Sequence, residues 1–273
     1  MTSRHEQDWD SLAAIDPLWA ILSDPAKRHG RWQPGEFMAT GERDVAYLLS
    51  VAERSDRPLE RRRALDFGCG VGRLTRALAG RFDEAVGVDV SGEMIRQAEA
   101  GGTDIDNIRF VHDGTPNLVR LGPGAFDLVL SLFVLQHFPS ARAIAQTVAV
   151  LAARVGPGGV LILQVPAPVP LRHRLQPRRR LYRTLEAFGV DAAVLQRRLG
   201  LTPIRMTGIS QVVVRSILHE RGLTMLEVHT DAFARTSMES NMYFATRNEP
   251  GVSPGPALQA RPDDAAGHQS GHQ

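Results

Sequence analysis

The sequence predicts a doubly wound α/β fold, a largely parallel sheet with helices on both faces. Short apolar runs alternate with stretches of helical periodicity between about residues 64 and 165, which is the pattern of repeated strand–helix–strand units. A glycine-rich turn, Gly68-Cys69-Gly70-Val71-Gly72, separates the first of those strands from the first helix. The apolar run Phe126 to Ser131 suits a strand buried on both faces.

The elements follow in order. Residues 1–8 are polar and are expected to be disordered. Leu12, Ile15, Trp19 and Leu22 recur at helical spacing between Trp9 and Ser23, and Pro17 divides them into two short helices. Gly30 to Gly41 reads as a loop, and Glu42 to Glu53 as a helix burying Val45, Leu48, Leu49 and Ala52. Residues 9–56 thus form an N-terminal helical cap segment, and residues 57–247 the main domain. Ala64–Phe67 is the first strand, and Arg73–Ala79 the helix after the glycine turn, stopped by Gly80. A second strand covers Ala85–Val90, and Ser91 caps a helix over Gly92–Ala100. Strands at Ile108–His112 and Phe126–Ser131 follow, then a helix capped by Ser140 and running to about Arg154. Gly156-Pro157-Gly158-Gly159 turns the chain into a fifth strand, Val160–Val165.

After Pro166 the alternation breaks. Residues 166–208 read as an Arg- and Pro-rich insertion with two helices, near Arg180–Phe188 and Ala192–Leu199. A helix over Ser210–Arg221 and strands at Thr224–Thr230 and Asn241–Arg247 complete seven strands. Residues 248–273, rich in Pro, Gly, Ala, His and Gln, read as a disordered tail.

Composition narrows the function. Of 273 residues 43% are hydrophobic and 23% charged, ordinary for a globular chain, and a net charge of +2 demands no nucleic-acid or membrane partner. Cys69 is the single cysteine, so no intramolecular disulfide forms and a Cys-ligated metal is not expected. The start carries no apolar signal-peptide core, and no apolar run reaches the ~20 residues of a membrane span. A cytoplasmic location is expected.

The glycine turn admits two readings, a dinucleotide or another nucleoside-bearing cofactor. The dinucleotide fingerprint would require a sixth-position glycine where Arg73 stands; here the glycines are Gly68, Gly70 and Gly72. Asp66, two residues before Gly68, places a carboxylate that repels a pyrophosphate and suits a ligand carrying an ammonium group. S-adenosylmethionine has an α-amino group, a sulfonium and no phosphate. The segment Ala64-Leu65-Asp66-Phe67-Gly68-Cys69-Gly70-Val71-Gly72-Arg73-Leu74-Thr75 resembles the first motif of the class I S-adenosylmethionine-dependent methyltransferases, and the likeness runs from about residue 62 to 165, more loosely to 247.

That resemblance implies a seven-stranded, Rossmann-like sheet in the order 3-2-1-4-5-7-6 with strand 7 antiparallel, capped by the N-terminal helices and the insertion. It implies cofactor contacts from Asp66, Gly68, Cys69, Gly70 and Gly72 in the turn. Asp89 would hold the ribose hydroxyls, and Met94 would pack on the adenine ring. Asp113 and Gly114 would meet the adenine edge, and Ser131 and Leu132 would pass under the methionine half. Cys69, without a base nearby in sequence, reads as a small filler rather than a nucleophile.

For the chemistry, methyl transfer needs a general base only where the acceptor must lose a proton. His137, in Leu135-Gln136-His137-Phe138 beyond the fourth strand, is the candidate, either as that base or as a pocket-shaping residue. Trp32 and Phe37 are candidate acceptor contacts, or simply cap packing. Arg172, Arg174 and Tyr182, in the Arg-rich run of the insertion, read either as a clamp on an anionic acceptor or as part of a solvated helix face. The expected reaction is methyl transfer to oxygen or nitrogen of a small molecule, by a monomer or homodimer. The alternatives are a dinucleotide-dependent oxidoreductase and a non-catalytic cofactor-binding partner protein.

Overall fold

The computed structural model describes residues 3–54, 59–102, 105–122, 124–170, 175–232 and 239–248. Its centre is a sheet of seven strands, β1 (Arg63–Phe67), β2 (Glu84–Asp89), β3 (Ile108–His112), β4 (Phe126–Ser131), β5 (Val155–Pro166), β6 (Leu223–Ala232) and β7 (Glu239–Arg247). Their spatial order is β3-β2-β1-β4-β5-β7-β6, as the resemblance implied. β1 through β5 pair in parallel, and β7 runs antiparallel to both β5 and β6. Every residue of β4 is buried, as its apolar run predicts.

Leu65 of β1 pairs with Val86 on one side and Val129 on the other, and these three point into one core. That face is covered by α6 (Ala141–Arg154), through Ile144, Val148 and Leu151, and by α9 (Gln211–Glu220), through Val214 and Leu218. On the opposite face, Ala64, Leu128 and Leu130 pack under α3 (Pro34–Ala52) and α4 (Arg73–Ala79). Between β2 and β3 runs α5 (Gly92–Ala100). Ser91 caps it by accepting from the Met94 amide, and Ser140 caps α6 through the Ala143 amide.

The N-terminal segment departs from expectation in two places. Residues 1–8 were expected to be disordered, yet helix α1 spans Arg4–Ile15. A reciprocal capping box starts it: Ser3 Oγ accepts from the Glu6 amide and the Glu6 carboxylate accepts from the Ser3 amide. The expected loop Gly30–Gly41 is largely the first two turns of α3, which starts at Pro34 because a proline at the first helical position loses no hydrogen bond. Gly41 sits inside that helix since a Cβ there would lie 2.4 Å from the Arg73 carbonyl oxygen of α4. α3 is therefore a layer of the main domain rather than part of the cap.

The cap proper is α1, the short α2 (Pro17–Ile21) and a 3-10 turn at Pro25–Lys27, with Leu12, Ala13, Ala20, Trp32, Phe37, Val71 and Met94 as its core. The insertion folds as α7 (Pro177–Ala187) and α8 (Ala192–Arg197) around Tyr182, Leu195 and Leu201. α1 lies between the two halves. Asp10 accepts from Ser91 Oγ and the Glu93 amide at the start of α5, while Arg183 of α7 pairs with Asp8 and Glu186, and Arg4 with Glu186. The tail, residues 249–273, lies outside the described residues.

Candidate cofactor and acceptor site

The sheet order reverses between β1 and β4, so their C-terminal ends diverge into a crevice, the place where open α/β sheets bind ligands. Its floor is the glycine turn. Gly68, Gly70 and Gly72 all have positive φ, at 79°, 54° and 85°, a backbone path that side-chain-bearing residues rarely follow. A Cβ at Gly68 would strike Val134 of the β4 loop, and one at Gly70 would lie 2.6 Å from Ile21 Cδ1 of α2. The cap and the β4 loop thus close over the turn from two sides.

Charge around the turn is negative. The Asp89 carboxylate, at the end of β2, accepts from the Gly70 amide at 2.9 Å and from the Ser91 amide at 2.8 Å. Burial raises its pKa, and those amides oppose the rise. Asp66 is buried beneath the turn and accepts from Thr75 Oγ1 at 2.7 Å. Burial pushes it up to about 6 despite the Thr75 bond and the Arg73 charge. The Cys69 thiol is buried beside both acids; burial, Asp89 and Asp66 all hold it well above its ordinary value, so it is an unreactive thiol. The arrangement fits a cofactor bearing ribose hydroxyls and an ammonium. A pyrophosphate finds the Gly70 amide already engaged by a carboxylate.

Around this floor, Met94 is buried next to Gly70, in the core that joins cap and α5. Ser131 Oγ donates to the Phe67 carbonyl and ties the ends of β1 and β4 together, with Leu132 buried beside it. Asp113 turns inward. Its carboxylate accepts from the amide and hydroxyl of Thr115 and from the amides of Arg120 and Leu121. Burial alone would raise its pKa, but these hydrogen bonds outweigh that and lower it. Gly114 lies against Val90 and Glu6, so α1 covers the end of β3.

His137 sits in a 3-10 turn, Leu135–His137, on the rim beyond β4. Nδ1 is 3.0 Å from the Arg205 carbonyl, which can only accept, so Nδ1 carries the proton and Nε2 accepts from Gln136 Nε2 at 3.1 Å. The ring meets Trp9 of α1 edge-on, with centroids 5.2 Å apart. Burial lowers its pKa to about 4, and it is neutral near pH 7. His5 sits on Phe138 nearby and is also lowered to about 4, by burial and by the Arg205 charge.

The structure does not bring the candidate acceptor contacts together. Trp32 and Phe37 pack edge-to-face in the cap core, with Trp32 Nε1 donating to the Leu22 carbonyl. Tyr182 is the buried centre of the insertion. Their aromatic area is worth more in those cores than in a wet cleft. Arg172 and Arg174 lie outside the described residues. Sequence reasoning missed Ile21 and Val134, which cover the glycines, and Arg205, which fixes the His137 tautomer. Only Ile21 had a signal, its place beside Trp19 and Leu22 in the α2 pattern.

A family model described as a methyltransferase domain matches residues 65–161. The trans-aconitate 2-methyltransferase of Deinococcus radiodurans is 38% identical over 144 residues, covering 50% of this chain and 50% of that protein. The ubiquinone biosynthesis O-methyltransferase of Psychrobacter arcticus is 32% identical over 105 residues, covering 37% of this chain and 40% of that protein. This chain spans about half the length of these curated relatives. Among solved structures, magnesium protoporphyrin IX methyltransferase from Synechocystis PCC 6803 has the same fold, with a TM-score of 0.58 at 18% identity over 89% of this chain and 98% of that one. Sheet order and turn define the class I, Rossmann-like methyltransferase fold. Residues 65–161, which contain that turn, match a methyltransferase domain, and the geometry of the turn fits S-adenosylmethionine. No helix among the described residues is long and apolar enough to cross a membrane.

Proposed function

We propose that this protein transfers a methyl group from S-adenosylmethionine to an oxygen or nitrogen of a small-molecule acceptor. The observation that carries the reading is the pairing of the Asp89 carboxylate with the left-handed glycine turn through the Gly70 amide. Asp89 is assigned to the ribose hydroxyls, with Gly68, Gly70 and Gly72 giving close backbone approach. Asp66 supplies negative charge beneath the amino-acid end, and Cys69 fills the space between the turn and Gly87 of β2. Met94 walls the adenine side. Ser131 and Leu132 set the floor under the methionine half. Asp113, its carboxylate engaged by its own loop, is assigned with Gly114 to shaping the adenine edge.

The cofactor brings an activated methyl on a sulfonium. The protein's part is to orient the acceptor and exclude water. Closure by α1, α2 and the β4 loop supports both. His137 is assigned to the acceptor side of the crevice. Its pKa near 4 makes it a weak base, and with Nδ1 donating to the Arg205 carbonyl and Nε2 accepting from Gln136 the ring is assigned to shaping the pocket. Enclosure of the crevice by cap and insertion supports a small acceptor, a metabolite or natural-product intermediate, over a macromolecule. The relatives named above are called after small-molecule chemistry, which agrees.

The test is incubation with methyl-labelled S-adenosylmethionine and a panel of small carboxylic acids, phenols and amines, read by transfer of label to product. Label on at least one acceptor, lost in Asp89→Ala, supports the proposal. Binding of the cofactor with no transfer across the panel and a cell metabolite extract would favour a non-catalytic role.

A further inference from the structure

The run Val160-Leu161-Ile162-Leu163-Gln164-Val165 of β5 is apolar except for Gln164, whose residue is 2% exposed. A buried amide is costly unless it is hydrogen-bonded. Gln164 Oε1 accepts from the Phe133 amide, in the loop that follows β4, at 3.1 Å. Strand register sets the height of this contact. Asp66 of β1 pairs with Leu130 of β4, and Leu130 with Ile162 of β5. Two residues further along the three segments stand Gly68, Leu132 and Gln164. Gln164 is therefore level with the first glycine of the turn, two strand spacings or about 10 Å away, with the β4 loop between them.

That loop turns on Phe133. Its φ is 60°, in the left-handed region, which a side chain as bulky as phenylalanine occupies only where its surroundings hold it. At a negative φ the chain after Phe133 would swing by about 120° around its N–Cα bond. The residue so redirected is Val134, the one that a Cβ on Gly68 would strike. The Val134 carbonyl in turn accepts from the His137 amide at 3.0 Å and starts the 3-10 turn on the rim. Ser131 Oγ pins the near end of the loop to the Phe67 carbonyl, one residue before Gly68. Beyond that pin, the bond from Gln164 is the side-chain contact that holds the Phe133 backbone.

We infer that Gln164 is a positioning residue for methyl transfer. Through the Phe133 amide it keeps the β4 loop in its left-handed step, which lays Val134 over the glycine turn and sets the His137 turn at the edge of the crevice. Glutamine suits the task because its uncharged amide oxygen reaches a backbone N–H from inside the sheet face without burying a charge. The inference rests on the methyltransferase reading and adds to it the residue that sets the loop beside the cofactor.

The test is a double-mutant cycle read by isothermal titration with S-adenosylhomocysteine, using the full chain, Gln164→Leu, Phe133→Gly and the two changes combined. Leucine fills the space without an acceptor for the Phe133 amide, and glycine takes a positive φ without strain. Gln164→Leu should weaken binding about tenfold in the otherwise unaltered chain. In the Phe133→Gly background the same change should cost less than about threefold, because the loop no longer needs the bond. A role in packing alone would cost the same in both backgrounds. Equal cost in the two, or full affinity in Gln164→Leu, overturns the inference. If Gln164→Leu misfolds by circular dichroism, Gln164→Met, unbranched and without an amide, takes its place in the same cycle with the same outcomes. Failure of the unaltered protein to bind S-adenosylhomocysteine removes instead the reading beneath it.

Discussion

The Asp89 carboxylate reaches from the end of β2 to the Gly70 amide, 2.9 Å away, and occupies the place in the glycine turn where a phosphate-binding fold leaves its amides free. The same carboxylate accepts from the Ser91 amide, so one side chain ties the turn to the start of α5. Asp89→Asn keeps the size and one acceptor oxygen but removes the charge. Hydrogen bonds to charged groups contribute about 1.5–3 kcal/mol. The variant should therefore bind S-adenosylhomocysteine about ten- to a hundredfold more weakly by calorimetry, with its circular dichroism unchanged. Unaltered affinity would remove Asp89 from the site.

Asp66 should set stability against function. Its pKa rises from 3.8 unfolded to about 6 folded, so the native state holds its proton longer and this group's contribution to stability falls as pH rises from about 4 to 6. Above that window the buried charge is a standing cost. Asp66→Asn removes it and should raise the urea midpoint at pH 7, while weakening S-adenosylmethionine binding through loss of the negative charge. A lower midpoint at pH 7 would contradict the assignment.

The two histidines at the rim act in the opposite direction. His5 and His137 fall from 6.5 unfolded to about 4 folded, so the unfolded chain takes up protons first and stability drops as pH falls from 6.5 toward 4. Replacing both with Gln should flatten that acid limb in a thermal-melt series. The pH–rate profile of the unaltered protein should show no His137 titration between about pH 6 and 8. An activity limb at pH 6.5 that disappears in His137→Asn would show that the ring is not held neutral.

Much of this site was legible in sequence because it is local. The glycine spacing, Asp66 and Asp89 lie within one strand–turn–helix–strand unit, and Ser91 and Ser140 announce their helices by position. Helix α1 was legible too, in the Ser3-x-x-Glu6 box, but its polar residues obscured it. Residues whose role depends on distant packing were not. Trp32, Phe37 and Tyr182 look alike as candidate pocket aromatics, and only the tertiary structure shows each buried in a core. Phe133 and Gln164 are 31 residues apart and meet only through the fold.

Two glycines of α3 should respond oppositely to alanine. Gly35 has open space around its Cβ position, so Gly35→Ala should stabilise by about 0.5–1 kcal/mol through backbone entropy. At Gly41 the new methyl meets Arg73 backbone, and overpacking of about 1–3 kcal/mol exceeds that gain. Chemical denaturation of both variants measures the difference. Stabilisation by Gly41→Ala would mean that α3 and α4 are less closely packed than described.

The turn from β1 to α4 should accept an amino-acid nucleoside and reject a dinucleotide. Isothermal titration of the purified chain with S-adenosylhomocysteine and with NADH tests it directly. S-adenosylhomocysteine should bind with one site per chain and NADH should give no heat of binding. Saturable NADH binding, with S-adenosylhomocysteine ignored, would contradict the account.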